Sequence, residues 1–414
     1  MRPRHPGFSV SLAFVPLAAA LLFAPGPLRA TEIDEPVSGR ELPLATVTDT
    51  SASRPNGVPE RRLARLRRGI NTSHWFAQVV APRGYTKEHF ESHTTAEDLA
   101  LIKSLGFDHL RLSVDPWPML VPGQADRIPA EYLGYLDRAV EMILAQDLAV
   151  IVDIHPSSEF KRKLQMDDRQ VEALADFWRA LAWHFSSRDP ERVFLEVLNE
   201  PEFEDGYRWS GVQAKLVAAI RQGAPSHTII ATGHRWSAVD ELLFLEPLRD
   251  PNVVYSFHFY VPHLFTHQGA TWGVNFWHYL KEVPYPSSPD AISRLAVDVP
   301  DELSRLHLIR YGHGRWDMTR IEAEIAQVVA WARKHGVRVT CNEFGVYRKF
   351  TNPAHRASWI ADVRTVLERH GIGWTMWDYA GDFGVVTKEA GTIVLDEPVV
   401  NALGLRAVPH SPRR

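Results

Sequence analysis

Cysteine is almost missing from this chain. Cys341 stands alone among 414 residues, so no intrachain disulfide can form and stability must come from the core. A basic excess is missing as well. The formal net charge is −4, which leaves no electrostatic footprint for nucleic acid. Beyond the N-terminal leader no segment is apolar enough to span a bilayer. No glycine-rich phosphate turn follows any strand-like run, which removes the main sign of a nucleotide-binding open sheet. Repeats are absent, and no aromatic residue lies between Thr31 and Arg68.

The N-terminus reads as an export signal. Arg2 and Arg4 precede an apolar stretch from Val10 to Phe23, and Leu28-Arg29-Ala30 offers a small-residue cleavage site. Pro16 and the short apolar length count against a membrane anchor. Residues 1–30 are therefore expected to leave as a signal peptide, taking three arginines and no acid and moving the net charge to about −7. The mature protein is expected to be secreted or periplasmic, with no stable membrane association. Residues 31–65 carry Pro, Ser, Thr, Glu and Arg without periodicity and read as a linker or mobile arm. That stretch is too short and too poor in aromatics for a separate sugar-binding module. A single large domain over 66–408 remains, and 45% hydrophobic residues can fill its core.

Within that domain short apolar runs alternate with amphipathic stretches. Strands are expected at 68–73, 109–114, 149–154, 193–199, 228–233, 253–259, 337–342 and 373–377. Runs such as Ala149-Val150-Ile151-Val152 are apolar on both faces, as parallel strands covered by helices must be. Helices are expected near 95–105, 131–147, 169–186, 207–222, 320–335 and 354–370, with fainter ones near 238–248 and 396–405. In 131–147 the residues Leu133, Leu136, Val140, Ile143 and Leu144 share one face. This alternation predicts an α/β fold of the (β/α)8 TIM barrel type, ahead of a doubly wound open sheet. One connection is oversized: nearly sixty residues after the sixth strand include Trp272, Trp277, Tyr279, Tyr285, Tyr311 and Trp316. It reads either as a sugar-stacking wall or lid, or as a small accessory core.

Reactive side chains recur where strands end. Arg111, His155, Asn199-Glu200, His258 with Tyr260, Glu343 and Trp377 close six of the eight runs. Active sites of such barrels lie at the C-terminal ends of the strands. Glu200 in Asn199-Glu200-Pro201 and Glu343 in Asn342-Glu343-Phe344-Gly345 have nearly matching settings. Two carboxylates across one cleft can cut a glycosidic bond, one as proton donor and the other as nucleophile or base. Simple alternation gives Glu196 the inward facing of Glu200, so a buried arginine or histidine partner is expected for it. The same count gives Cys341 the facing of Glu343. The spacing of His258, His263 and His267 is no zinc motif, and neither a metal nor another cofactor is expected. His234, Trp236, Trp272, Trp75 and Trp209 are candidate sugar contacts, though core packing is an equal reading for each tryptophan.

Taken in order, Arg68-Gly69-Ile70-Asn71, Leu110-Arg111-Leu112-Ser113, Val152-Asp153-Ile154-His155, Asn199-Glu200-Pro201, Phe257-His258-Phe259-Tyr260, Asn342-Glu343-Phe344-Gly345 and Trp377-Asp378-Tyr379 resemble the catalytic domain of glycoside hydrolase family 5. The resemblance implies that Glu200 is the acid/base and Glu343 the nucleophile of a retaining enzyme. It implies that Asn199 holds the sugar 2-hydroxyl and that Arg111 and Tyr260 keep Glu343 ionised and oriented. His155 and His258 would hold hydroxyls or tune the acids, and Trp377 would floor the sugar. The expected partner is a polysaccharide or oligosaccharide, and the expected state a monomer. Endo-hydrolysis of a β-1,4-glucan leads, with an endo-β-mannanase or another β-glycan hydrolase as the alternative. A non-catalytic carbohydrate-binding barrel is the rival from outside enzymes.

Overall fold

Apolar runs with no polar face can pair only where helices cover them, and here they pair in sequence order. β1 (Arg68–Phe76), β2 (His109–Val114), β3 (Ala149–Ile154), β4 (Val193–Glu196), β5 (Ile229–Thr232), β6 (Val253–Phe259), β7 (Arg338–Phe344) and β8 (Gly373–Met376) form a closed parallel barrel. The ring shuts where β1 pairs with β8 through Gly69↔Thr375 and Ile70↔Met376. The computed structural model describes residues 57–406 apart from 122, 390 and 391. The expected leader and residues 31–56 of the expected linker lie outside the described residues.

Helices predicted from the 3.6-residue period form the outer layer, among them Ala96–Leu105, Ala130–Ala145, Asp168–Phe185, Gly206–Gly223, Met318–His335 and Pro353–Arg369. Local chemistry sets their ends. The Asp317 side chain accepts from Arg320 N at the start of Met318–His335, and left-handed Gly336 closes it. The main core lies between helices and strands, where Val150, Val152, Phe177, Trp178, Leu216 and Trp359 are fully buried. A second cluster plugs the barrel's N-terminal end with Ala149, Ile151, Phe194, Ile230 and Val254. Val58 and Leu66 join it, because residues 60–65 form a helix rather than continuing a linker. Arg62 anchors that helix through Glu191, Ser226 O and Thr228.

The oversized connection is folded. Helices Pro289–Asp298 and Glu302–Gly314 pack through Ile292, Ala296, Leu308 and Tyr311. Its inner edge leans on the barrel mouth: Trp277 lies 4.9 Å from the His267 ring, and His267 lies 5.2 Å from the Tyr260 ring. The reading as an accessory core holds. The segment also puts aromatic rings beside the strand ends.

Candidate active site

Inward-facing residues above the plug turn polar, and Arg111 stands at their centre. It is fully buried on β2. Its Nε donates to Glu196 Oε2 at 2.9 Å, and one terminal nitrogen to Glu196 Oε1 at 2.9 Å. That nitrogen also reaches Asn199 Oδ1 at 2.9 Å and Asp153 Oδ2 at 3.0 Å. The other terminal nitrogen donates to Asn71 Oδ1 at 2.9 Å and to Glu343 Oε1 at 2.8 Å. Glu196 thus has the arginine partner expected for it, plus an amide hydrogen from Asn342 at 2.6 Å.

Glu343 owes its position to an irregularity. The β6–β7 register shifts between Phe257 and His258, and the β7–β8 register shifts between Cys341 and Phe344. Asn342 and Glu343 therefore both reach the Arg111 network, whereas Cys341 sits in the outer core between strands and helices. The expectation that Cys341 shares the facing of Glu343 fails because a bulge breaks the two-residue period. Tyr260 closes the setting, donating to Glu343 Oε2 at 2.8 Å.

β4 ends at Glu196, and the next residues carry Glu200 up to the rim at φ 42°, a left-handed conformation that costs a non-glycine residue energy. A quarter of the Glu200 side chain is exposed, against 5% for Glu343. His258 Nδ1 lies 2.9 Å from Glu200 Oε1 and 3.5 Å from Glu343 Oε2. Carboxylate oxygens face Nδ1 and no described residue pairs with the buried Nε2, which places the ring proton on Nδ1, between the two acids. One ligand atom each from Glu200, His258 and Glu343 lies within 4.8 Å of the others. This grouping differs from the histidine set weighed in the sequence, and the Nδ1 proton occupies the position a cation would need.

Burial dominates the electrostatics. It opposes the charge on Arg111, but Asp153, Glu196 and Glu343 outweigh it and hold the guanidinium well above its usual range. Desolvation pushes Asp153 up to about 6 and raises Glu196, with Arg111 pulling both back. Glu343 is also raised: burial acts first and the Glu200 charge adds to it, against His258 and Arg111. Arg111 and Tyr260 do pull Glu343 down, as expected, but burial outweighs them. Burial lowers His258 to about 4, so the ring is neutral near pH 7.

The remaining candidates divide. Trp377 is half-buried and stacks on His155, ring centres 5.6 Å apart and planes 19° apart. Trp236 and Trp272 are exposed at the mouth, Trp272 edge-on to Tyr347 at 4.9 Å. Trp75 and Trp209 are corrections: both are buried, with indole N–H groups donated to Phe90 O and Thr232 O, so they pack in the core. His234 is buried against Glu241 Oε2 at 2.8 Å, which accounts for it structurally. Asn71, Asp153 and Asn342 are network members that motif reading passed over. The inward period of β1 and β3 points to the first two, while the bulge hides Asn342.

A closed barrel with two facing glutamates at its C-terminal mouth, held by one arginine, a tyrosine and a histidine, defines a glycoside hydrolase. The model of the family Cellulase (glycosyl hydrolase family 5) matches residues 69–382, and the chain belongs to that family. Endoglucanase C of Acetivibrio thermocellus is 29% identical over 354 residues, covering 82% of this chain and 98% of that protein. Endoglucanase 3 of Fibrobacter succinogenes is 25% identical over 393 residues, covering 90% of this chain and 57% of that one. Among solved structures, Thermotoga maritima Cel5A with cellobiose has a TM-score of 0.66 at 23% identity, covering 83% and 99% of the two chains. Cellulose synthase subunit Z of Clostridioides difficile gives 0.66 at 23%, covering 82% and 99%. At these identities the structural likenesses speak to the fold alone. Among the described residues no helix is long and apolar enough to cross a membrane.

Proposed function

We propose that the protein is an exported, monomeric, retaining endo-β-1,4-glucanase. The observation that carries this is the approach of Glu200 and Glu343, whose facing atoms lie within 4.8 Å. Retaining enzymes hold their carboxyls about 5–5.5 Å apart, while inverting ones leave about 6.5–9.5 Å for a water. The contacts favour unequal roles. Each oxygen of Glu343 accepts from a fixed donor, Arg111 or Tyr260, which suits an oriented nucleophile. Glu200 meets the neutral His258 and opens to the cleft, so it can give a proton to the leaving oxygen and later take one from water. Asn199 holds the sugar 2-hydroxyl and Trp377 floors the ring. The glucan preference rests on relatives named endoglucanases. Mannan is the competing substrate, since Thermotoga maritima Cel5A was also solved with mannotriose.

The test combines a polysaccharide panel, product sizing and one variant. Soluble β-1,4-glucan should be cut internally, with the β-anomer appearing first by NMR. Glu343→Gln should lower kcat by at least ~10^3-fold while oligosaccharide binding survives. First appearance of the α-anomer would overturn retention, and preferred cleavage of mannan would overturn the glucan assignment.

A further inference from the structure

We infer that Asp153 is a positioning residue for the reaction: through His155 it fixes the orientation of the Asn199 amide beside the two carboxylates. The inference rests on the hydrolytic reading of this site. Its basis is a chain of hydrogen bonds from Arg111 through Asn199 and His155 to Asp153 whose direction is forced. Arg111 can only donate, so the Asn199 atom 2.9 Å from it is the amide oxygen. The Asn199 NH2 group is then the side that faces His155 Nε2, at 3.1 Å. Nε2 must accept, which leaves the ring proton on Nδ1. That proton meets Asp153 Oδ2 at 2.9 Å. The same Oδ2 lies in an ion pair with the Arg111 guanidinium at 3.0 Å.

Each member of the chain has one role. Asp153 is an anion with no exposure, so it touches no substrate and acts only through its neighbours. His155 is set in plane by the stacked Trp377 ring and in tautomer by Asp153. Asn199 spends its oxygen on Arg111 and one amide hydrogen on His155, so its second amide hydrogen is free for a substrate hydroxyl. With the opposite tautomer, Nε2–H would face the amide NH2 and push it away. Burial supports the assignment, since it holds His155 well below its usual range and keeps the ring neutral.

Two measurements test this. The first uses the wild-type protein, so folding of a variant does not enter. 15N NMR of the histidine side chains should find His155 neutral with its proton on Nδ1 across the working pH range. A proton on Nε2 would overturn the inference. The second compares Asp153→Asn and Asp153→Leu, both close in shape to aspartate, on an aryl β-cellobioside and on its analogue lacking the 2-hydroxyl of the reacting ring. Folding is checked by thermal unfolding. In Asp153→Leu, kcat should fall at least ~10-fold with KM within ~3-fold, and Asp153→Asn should fall between that and wild type. The preference for the 2-hydroxyl substrate should shrink at least ~3-fold along the same series. Folded variants that keep the wild-type preference would overturn the positioning role. Failure of the wild type to hydrolyse either substrate would instead overturn the proposed function, so the two failures are distinct.

Discussion

At the scale of single residues the site is a problem of one cation and three anions. Arg111 lies 2.8 to 3.0 Å from Asp153, Glu196 and Glu343 with no solvent to screen them. A guanidinium serves all three because its donors spread over a rigid plane, whereas an ammonium offers its hydrogens at one point. Arg111→Lys keeps the charge and loses that geometry. We expect kcat/KM to fall by ~10^2 to 10^3-fold and unfolding free energy to drop by roughly 3 kcal/mol, read by kinetics and urea titration. A loss below tenfold would mean that charge alone suffices. The residues around Arg111 were partly legible in sequence, since a polar letter at the end of an apolar strand has few other uses. Tryptophans were not: Trp75 and Trp377 both close strands, yet one packs in the core and the other stacks on His155 at the mouth.

At the scale of elements, the eight barrel strands and the long outer helices followed from apolar periodicity, because each period has one structural use, while Lys87–Ser92, Ser158–Met166 and the hairpin Val386–Glu389/Thr392–Leu395 did not. What periodicity could not show is where it breaks. The bulge on β7 delivers Glu343, and nothing in Val339-Thr340-Cys341-Asn342 announces it. Just beyond it, Gly345 explains part of the motif. A Cβ there would lie 2.3 Å from the Trp377 carbonyl oxygen, so only glycine lets β7 and the residue after β8 approach this closely. Gly345→Ala should push Trp377 off its stack on His155 without touching either glutamate. The expected result is a KM for cello-oligosaccharides raised by ~10-fold or more, with a matching loss of the tryptophan fluorescence change on binding. Wild-type kinetics in this variant would show that the floor tolerates the shift. The long connection was legible only as an anomaly of length and aromatics, because its helices serve a local core and not the barrel.

At the scale of the whole molecule, stability and activity pull in opposite directions. Asp153, Glu196 and Glu343 all have folded-state values raised by burial. For a carboxyl raised on folding, the folded state binds protons more tightly than the unfolded chain. Its contribution is fully present below the ordinary unfolded value near 4 and is lost as pH rises through the folded value. For Asp153 that window runs from about 4 to about 6, and those of Glu196 and Glu343 likewise open at the ordinary carboxylate value and extend above it. The fold therefore carries a buried negative excess at neutral pH, where the nucleophile must be ionised. The acid limb of the activity profile should accordingly lie above the ordinary carboxylate range. Glu343→Gln removes one charge and keeps an acceptor for Arg111. Relative to wild type it should raise the unfolding temperature at pH 7–8 by on the order of 1–3 °C, and the gain should vanish below about pH 4, where both proteins are neutral at this position. Calorimetry across that range decides the matter: a gain independent of pH would assign the effect to packing, and a loss at pH 8 would mean that Arg111 more than offsets the burial of Glu343.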